Sequence, residues 1–238
     1  MPGEGRNPIL VAIDTPELDL ARALSQSLAG AVGGIKLGLE FFNAHGPAGV
    51  TQVAGNRGDL FLDLKYHDIP NTVAGAVRAA VKLQPMILNV HAGGGPAMMR
   101  AALEAAEEGS DRLGIARPKI IAVTVLTSMD DGDLDAVGQK GPSTDQVVRL
   151  ARLTQDCGLA GVVCSPREIA AIRDACGPDF TLVVPGIRPA GAAVGDQKRV
   201  MTPRQAIDAG ADWLVIGRPI TGAPDPAAAA RDIMRELA

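Results

Sequence analysis

Lysine and carboxylate alternate in this chain at places where apolar residues would be expected. Lys36 lies inside Gly33-Gly34-Ile35-Lys36-Leu37-Gly38, and Asp63 inside Leu60-Phe61-Leu62-Asp63-Leu64. Both segments otherwise read as buried strands, and an unpaired buried charge is costly, so each needs a partner. Asp63 and Lys65 are two residues apart and so point to the same side of a strand. Asp68 follows three residues later, across the strand exit, within reach of Lys65. The economical arrangement is an alternating array of Lys36, Asp63, Lys65 and Asp68. Such an array can place an ammonium where negative charge develops in a reaction. It can also be an ion-pair network that does no more than close the fold.

A second set of residues is purely cationic. Arg188 follows Val184-Pro185-Gly186-Ile187, and Gly217-Arg218 follows Trp213-Leu214-Val215-Ile216. Glycine lets backbone N–H groups approach an anion, and arginine offers a planar fork to phosphate oxygens. Asp14 closes the first apolar run, while Thr124, Thr127 and Ser128 close the fifth. Asn89 and His91 end the fourth run, where His91 reads as a hydrogen-bonded strand-end residue; His67 sits between charged residues and can help orient them. Met98 and Met99 read as core filler, and Glu104, Glu107 and Glu108 as a solvated helix face.

The elements that must position these residues repeat one rhythm. Apolar runs at 9–13, 34–37, 60–64, 86–90, 120–126, 161–164, 181–184 and 213–216 each give way to a turn and an Ala-rich helical stretch. Continuous apolar character is what a parallel strand buried on both faces shows. Thr15-Pro16, Ser165-Pro166, Thr202-Pro203 and Asp225-Pro226 place a capping side chain before proline at a helix start. Ser165 with Glu168, Thr202 with Gln205 and Ser143 with Gln146 have the spacing of a capping box. Eight β/α units in 238 residues predict a single-domain (β/α)8 barrel over 1–238. An open doubly wound sheet is the alternative, but its first strand would be followed by a glycine fingerprint where Asp14-Thr15-Pro16 stands. A barrel reacts at the C-terminal ends of its strands and often binds phosphate after strands seven and eight. The charged residues above fall at those positions. The stretch from Gly186 to Val200 is the longest without a clear element, and ordered loops of that length are usually functional.

Composition narrows the function class. The net charge of −4 argues against a broad nucleic-acid face but leaves room for a small anionic ligand. No apolar run approaches the ~18 residues of a membrane span. Met1 to Asn7 lacks a signal-peptide core. Cys157, Cys164 and Cys176 form no CxxC pair, which predicts reduced thiols, a cytoplasmic location and no zinc site. No pyridoxal-, thiamine- or metal-binding signature is present, so no cofactor is expected.

Asp63-Leu64-Lys65-Tyr66-His67-Asp68-Ile69-Pro70-Asn71-Thr72 resembles the orotidine 5′-phosphate decarboxylase family. So do Val11-Ala12-Ile13-Asp14, Lys36-Leu37-Gly38, the 122–128 segment, Val184-Pro185-Gly186-Ile187-Arg188, Asp196-Gln197 and Ile216-Gly217-Arg218-Pro219-Ile220, in the family's order and spacing. The D-x-K-x-x-D core is shared with related metal-dependent decarboxylase and aldolase barrels; the Ile69-Pro70-Asn71-Thr72 continuation and the Arg188–Gln197 loop favour the orotidylate enzyme. The resemblance implies cofactor-free conversion of orotidine 5′-monophosphate to UMP, with Lys65 as proton donor. Lys36, Asp63 and Asp68 would complete the charged network, and Asp14 and Lys36 would hold the ribose hydroxyls. Thr127 would lie on the pyrimidine or phosphate side. Arg188 and Gln197 would grip the phosphate, and Gly217 and Arg218 would complete its cradle. The resemblance also implies a homodimer in which Asp68 and Thr72 cross into the neighbouring subunit's site. On the residues alone, three other readings stay open: a metal-dependent sugar-phosphate enzyme, a Schiff-base aldolase, and a nucleotide-binding barrel without activity.

Overall fold

The computed structural model describes residues 7–55, 58–189 and 201–237. Eight parallel strands close into a barrel in chain order. They are β1 (Ile9–Ala12), β2 (Gly34–Gly38), β3 (Leu60–Tyr66), β4 (Ile87–His91), β5 (Lys119–Val123), β6 (Gly161–Val163), β7 (Thr181–Val184) and β8 (Trp213–Ile216). Closure is made by β1 against β8, with Ile9 opposite Leu214 and Val11 opposite Ile216, which excludes the open sheet. Helices cover the outside: α1 (Leu18–Ser27), α2 (Leu39–Ala54), α3 (Pro70–Val81), α4 (Gly95–Leu113), α5 (Asp131–Ala136), α6 (Ser143–Asp156), α7 (Ile169–Cys176), α8 (Pro203–Asp208), α9 (Arg218–Thr221) and α10 (Pro226–Leu237). Among the described residues, no helix is long and apolar enough to cross a membrane.

The strands divide their residues by parity, as the pleat requires. Ile9, Val11, Ile35, Leu37, Leu62, Leu88, Val90, Leu182 and Ile216 pack outward with the helices. Leu10, Ala12, Phe61, Ile87, Ile121, Val183, Trp213 and Val215 form a separate cluster that fills the lumen. Burying each large member contributes about 1.5–3 kcal/mol. Asp14, Lys36, Asp63 and Asn89 continue the lumen parity one step toward the C-terminal end. The apolar plug is therefore the floor of the site. Gly34 keeps the β2 wall thin: a Cβ there would sit 2.2 Å from the Asp59 carbonyl oxygen.

Most local signals hold. Ser165 with Glu168 and Thr202 with Gln205 form capping boxes. The Asp225 carboxylate accepts from the Ala228 N–H at 2.9 Å. Met98 and Met99 are buried, and the three cysteines are free and buried. Three expectations need correction. Thr15 Oγ1 accepts from the Glu17 N–H at 3.2 Å, which makes a turn, and α1 starts two residues later than Pro16. Ser143 and Gln146 form no box, because Pro142 is the cap and Ser143 is already helical. The Ser143 N–H instead meets Asp131, and the Gln146 amide meets Gln139. The fifth apolar run does not continue as strand to Leu126. β5 stops at Val123, where its partner β6 ends at Val163, and Leu126 lies beyond it, 38% exposed, in the lining of the cavity at the barrel mouth.

Candidate active site

The charged array exists, and three strands build it. The Lys36 Nζ lies 3.1 Å from Asp14 Oδ1 and 3.3 Å from Asp63 Oδ2. The Lys65 Nζ lies 2.6 Å from Asp63 Oδ1. Carboxylate and ammonium thus alternate from Asp14 through Lys36 and Asp63 to Lys65. Lys36 and Asp63 are each 8% exposed, a depth at which neither charge is tolerable without the others. Burial pushes Asp63 toward protonation, but Lys36 and Lys65 outweigh it and hold the carboxyl below its ordinary range. Burial likewise works against the Lys36 ammonium, and Asp63 and Asp14 together overcome it, raising its pKa. Gly38 leaves room for this: a Cβ there would come within 3.1 Å of the Lys36 Nζ.

Lys65 reaches the array through an irregularity in β3. The β3–β4 register shifts between Leu62 and Tyr66, and Lys65 has φ +49°, a left-handed conformation that side chains other than Asn, Asp and Gly rarely adopt. Bulges next to active sites re-aim side chains. Here the bulge brings the Lys65 ammonium onto Asp63.

The array opens onto a cavity of about 440 Å³ whose lining includes Asp14, Lys36, Asp63, Lys65, Thr127, Arg188, Gly217 and Arg218. Its floor includes Phe61 and Val215 from the lumen plug. Arg188 and Arg218 form the cationic end. Partial burial and the like charge of Arg218 lower the pKa of Arg188. Two guanidiniums in one cavity lining offer planar donor forks to an anion. The Arg188 N–H donates to the Met201 carbonyl at 3.0 Å, and Ile187 bridges Met201. The two ends of the long segment after β7 are thus pinned together at the cavity. Gln197 lies outside the described residues.

Asp68 and Thr72 are not in this cavity. Both are exposed beyond the end of β3, and Asp68 Oδ1 accepts from the Ile69 N–H at 2.6 Å. Among the described residues, no ion pair joins Asp68 to Lys65 in the same chain. His67 and His91 stack beside the mouth with ring centroids 5.5 Å apart. Burial, then His67 and Lys65, lower the pKa of His91. Among the described residues no group of three or more His, Cys, Asp or Glu is disposed to hold a metal. The residue that sequence reasoning left without a role is Asn89. It is fully buried, and its Nδ2 donates to Asp63 Oδ1 at 2.7 Å. The available signal was an amide inside the apolar run Met86-Ile87-Leu88-Asn89-Val90.

Fold and site define a (β/α)8-barrel enzyme whose mouth carries a lysine–carboxylate array and a cationic end in one cavity. Comparison with known proteins makes this specific. Residues 7–233 match the model of the Orotidine 5′-phosphate decarboxylase / HUMPS family. A protein of Paramagnetospirillum magneticum named orotidine 5′-phosphate decarboxylase is 58% identical over 231 residues, covering 97% of this chain and 98% of its own. One of the same name from Rhodospirillum rubrum is 60% identical over 233 residues, covering 98% and 94%. The crystal structure of the Lactobacillus acidophilus orotidine 5′-phosphate decarboxylase superposes with a TM-score of 0.85 at 37% identity, over 97% of this chain and 99% of that one. The chain belongs to the orotidine 5′-phosphate decarboxylase / HUMPS family and is an enzyme of the carboxy-lyase class.

Proposed function

We propose that this chain converts orotidine 5′-monophosphate to UMP without a cofactor, with Lys65 stabilising the carbanion at C6 and then protonating it. The observation that carries the reading is the Lys65 ammonium, 2.6 Å from Asp63, in one cavity with two arginines. Breaking the C6–carboxylate bond releases CO2 and leaves the electron pair on C6, in the ring plane, where the π-system delocalises it poorly. A fixed cation beside C6 stabilises that charge without reorganising solvent. The proton then passes from Lys65 Nζ to C6, and water restores it to the lysine. Asp63 orients the ammonium from 2.6 Å away at the cavity wall. Asp14 and Lys36 hold the ribose hydroxyls, and Thr127 borders the ring. Arg188, Gln197, Gly217 and Arg218 take the phosphate. Its binding energy, remote from the reacting carbon, supports organisation of the site.

The working unit in this reading is a homodimer in which Asp68 and Thr72 enter the partner's mouth. In support, both side chains are exposed beside the site, next to Ile69, an apolar residue 67% exposed. A cytoplasmic location suits the three free thiols. The test is the ultraviolet absorbance of orotidine 5′-monophosphate mixed with the purified chain, with and without EDTA. Conversion to UMP that EDTA leaves unchanged is the expected result. Conversion that EDTA abolishes would overturn the cofactor-free reading, and no conversion by folded protein would overturn the substrate.

A further inference from the structure

Between the paired positions Leu62–Leu88 and Tyr66–Val90, three residues of β3 (Asp63, Leu64 and Lys65) face a single residue of β4, Asn89. The regular ladder cannot serve that many backbone groups from one opposing residue. The Asn89 side chain fills the gap. Its Oδ1 accepts from the Lys65 backbone N–H at 2.8 Å, and its Nδ2 donates to Asp63 Oδ1 at 2.7 Å. That same carboxylate oxygen holds the Lys65 Nζ at 2.6 Å. One fully buried amide therefore touches both the backbone of Lys65, where φ is +49°, and the carboxylate that orients its ammonium.

We infer that Asn89 is a positioning residue for the reaction, holding Lys65 in its left-handed conformation and Asp63 in line with it. An amide suits this place because it offers an acceptor and a donor on one rigid plane. A carboxylate would supply the acceptor but set a second negative charge against Asp63. An aliphatic residue would supply neither bond and leave a buried N–H unpaired. Asn89 is outside the cavity lining, so it acts through Lys65 and Asp63 and touches no substrate.

The inference rests on the reading of Lys65 as the group that serves C6, and the experiment separates the two. Steady-state kinetics with orotidine 5′-monophosphate and UMP binding are measured for Lys65→Ala, Asn89→Ala and Asn89→Asp. Asn89→Ala is expected to lower kcat about 10²-fold, the scale of a misplaced reacting group, while KM and UMP affinity stay within about threefold. In Asn89→Asp the acid limb of the kcat profile is expected to move to higher pH, because a second carboxylate disfavours ionisation of the first. If Asn89→Ala does not fold, Asn89→Asp decides, because it keeps an acceptor for the Lys65 N–H and loses the donor to Asp63: a lowered kcat with KM and UMP affinity within about threefold supports the inference, and an unchanged kcat overturns it. A kcat for folded Asn89→Ala within about twofold of the parent, or a loss carried by KM, also overturns it. Turnover surviving in Lys65→Ala would sink the reading of Lys65 itself, and the inference with it.

Discussion

Arg173, at the N-terminal end of the barrel, and Lys65, at the C-terminal mouth, are both cations held by a carboxylate at 2.6 Å. What surrounds each pair differs. The Arg173 guanidinium also donates to the carbonyls of Gly210, Gly177 and Pro178 at 2.9, 3.1 and 3.1 Å. Its partner Asp212 accepts the Leu182 N–H at 2.7 Å. All arms of the fork are engaged by the turns that deliver the chain into β7 and β8, so nothing remains for a ligand. Lys65 has three ammonium protons, one carboxylate partner for them among the described residues, and a cavity in front. A buried ion pair by itself therefore does not mark chemistry. Donor capacity left over toward a cavity does.

The comparison can be broken most decisively at Lys65. Lys65→Ala is expected to lower kcat about a thousandfold or more, with UMP binding still measurable by calorimetry. Substantial residual turnover would remove the distinction drawn above. At the cationic end, Arg218→Ala should lower kcat/KM for orotidine 5′-monophosphate about a hundredfold. The same change should leave the unphosphorylated nucleoside nearly unaffected, so an equal loss for both would show that Arg218 does not hold phosphate. Arg173→Ala should do the reverse of Lys65→Ala. Denaturant titration should show about 2 kcal/mol or more of lost stability, since several carbonyls and Asp212 lose their donor. The kcat per folded molecule should stay near that of the parent, and a kcat collapse with stability intact would merge the two clusters.

The smallest expected effect concerns pH. Asp63 is held below its ordinary value of 3.8, so its ionisation stabilises the fold fully above that value. The contribution is lost as pH falls through the lower value of the folded state. Lys36 is raised above 10.5, so its contribution is complete below that value and fades as pH rises through the folded one. Melting temperature followed from pH 7 down to acid should therefore fall less steeply in Asp63→Asn than in the parent. Parallel curves would show that Asp63 does not carry the acid dependence.

Much of this was legible in order along the chain. The apolar runs predicted eight strands because a parallel strand buried on both faces has no polar face to show. Proline after a capping side chain marked three of the four helix starts read this way, and failed at Thr15, where a turn intervenes. The charges at Lys36, Asp63 and Lys65 stood out because they interrupt runs that burial would otherwise make apolar. The loops after strands seven and eight pointed to Arg188, Gly217 and Arg218, the resemblance added a role for Thr127, and the cavity gathers all four.

Asn89 and Arg173 were not legible, for a common reason. Asn89 lies 26 residues from Asp63, and Arg173 lies 39 from Asp212. Nothing in either local segment states which backbone groups will arrive opposite. Sequence by itself determined the period, the strand parity and hence which residues face the lumen, because these follow from backbone geometry and the cost of burying charge. Only the tertiary structure decided that three residues of β3 meet one of β4, that the mismatch turns Lys65 onto Asp63, and that one buried amide holds both. Barrel closure sets that register, and closure is a property of all eight strands together.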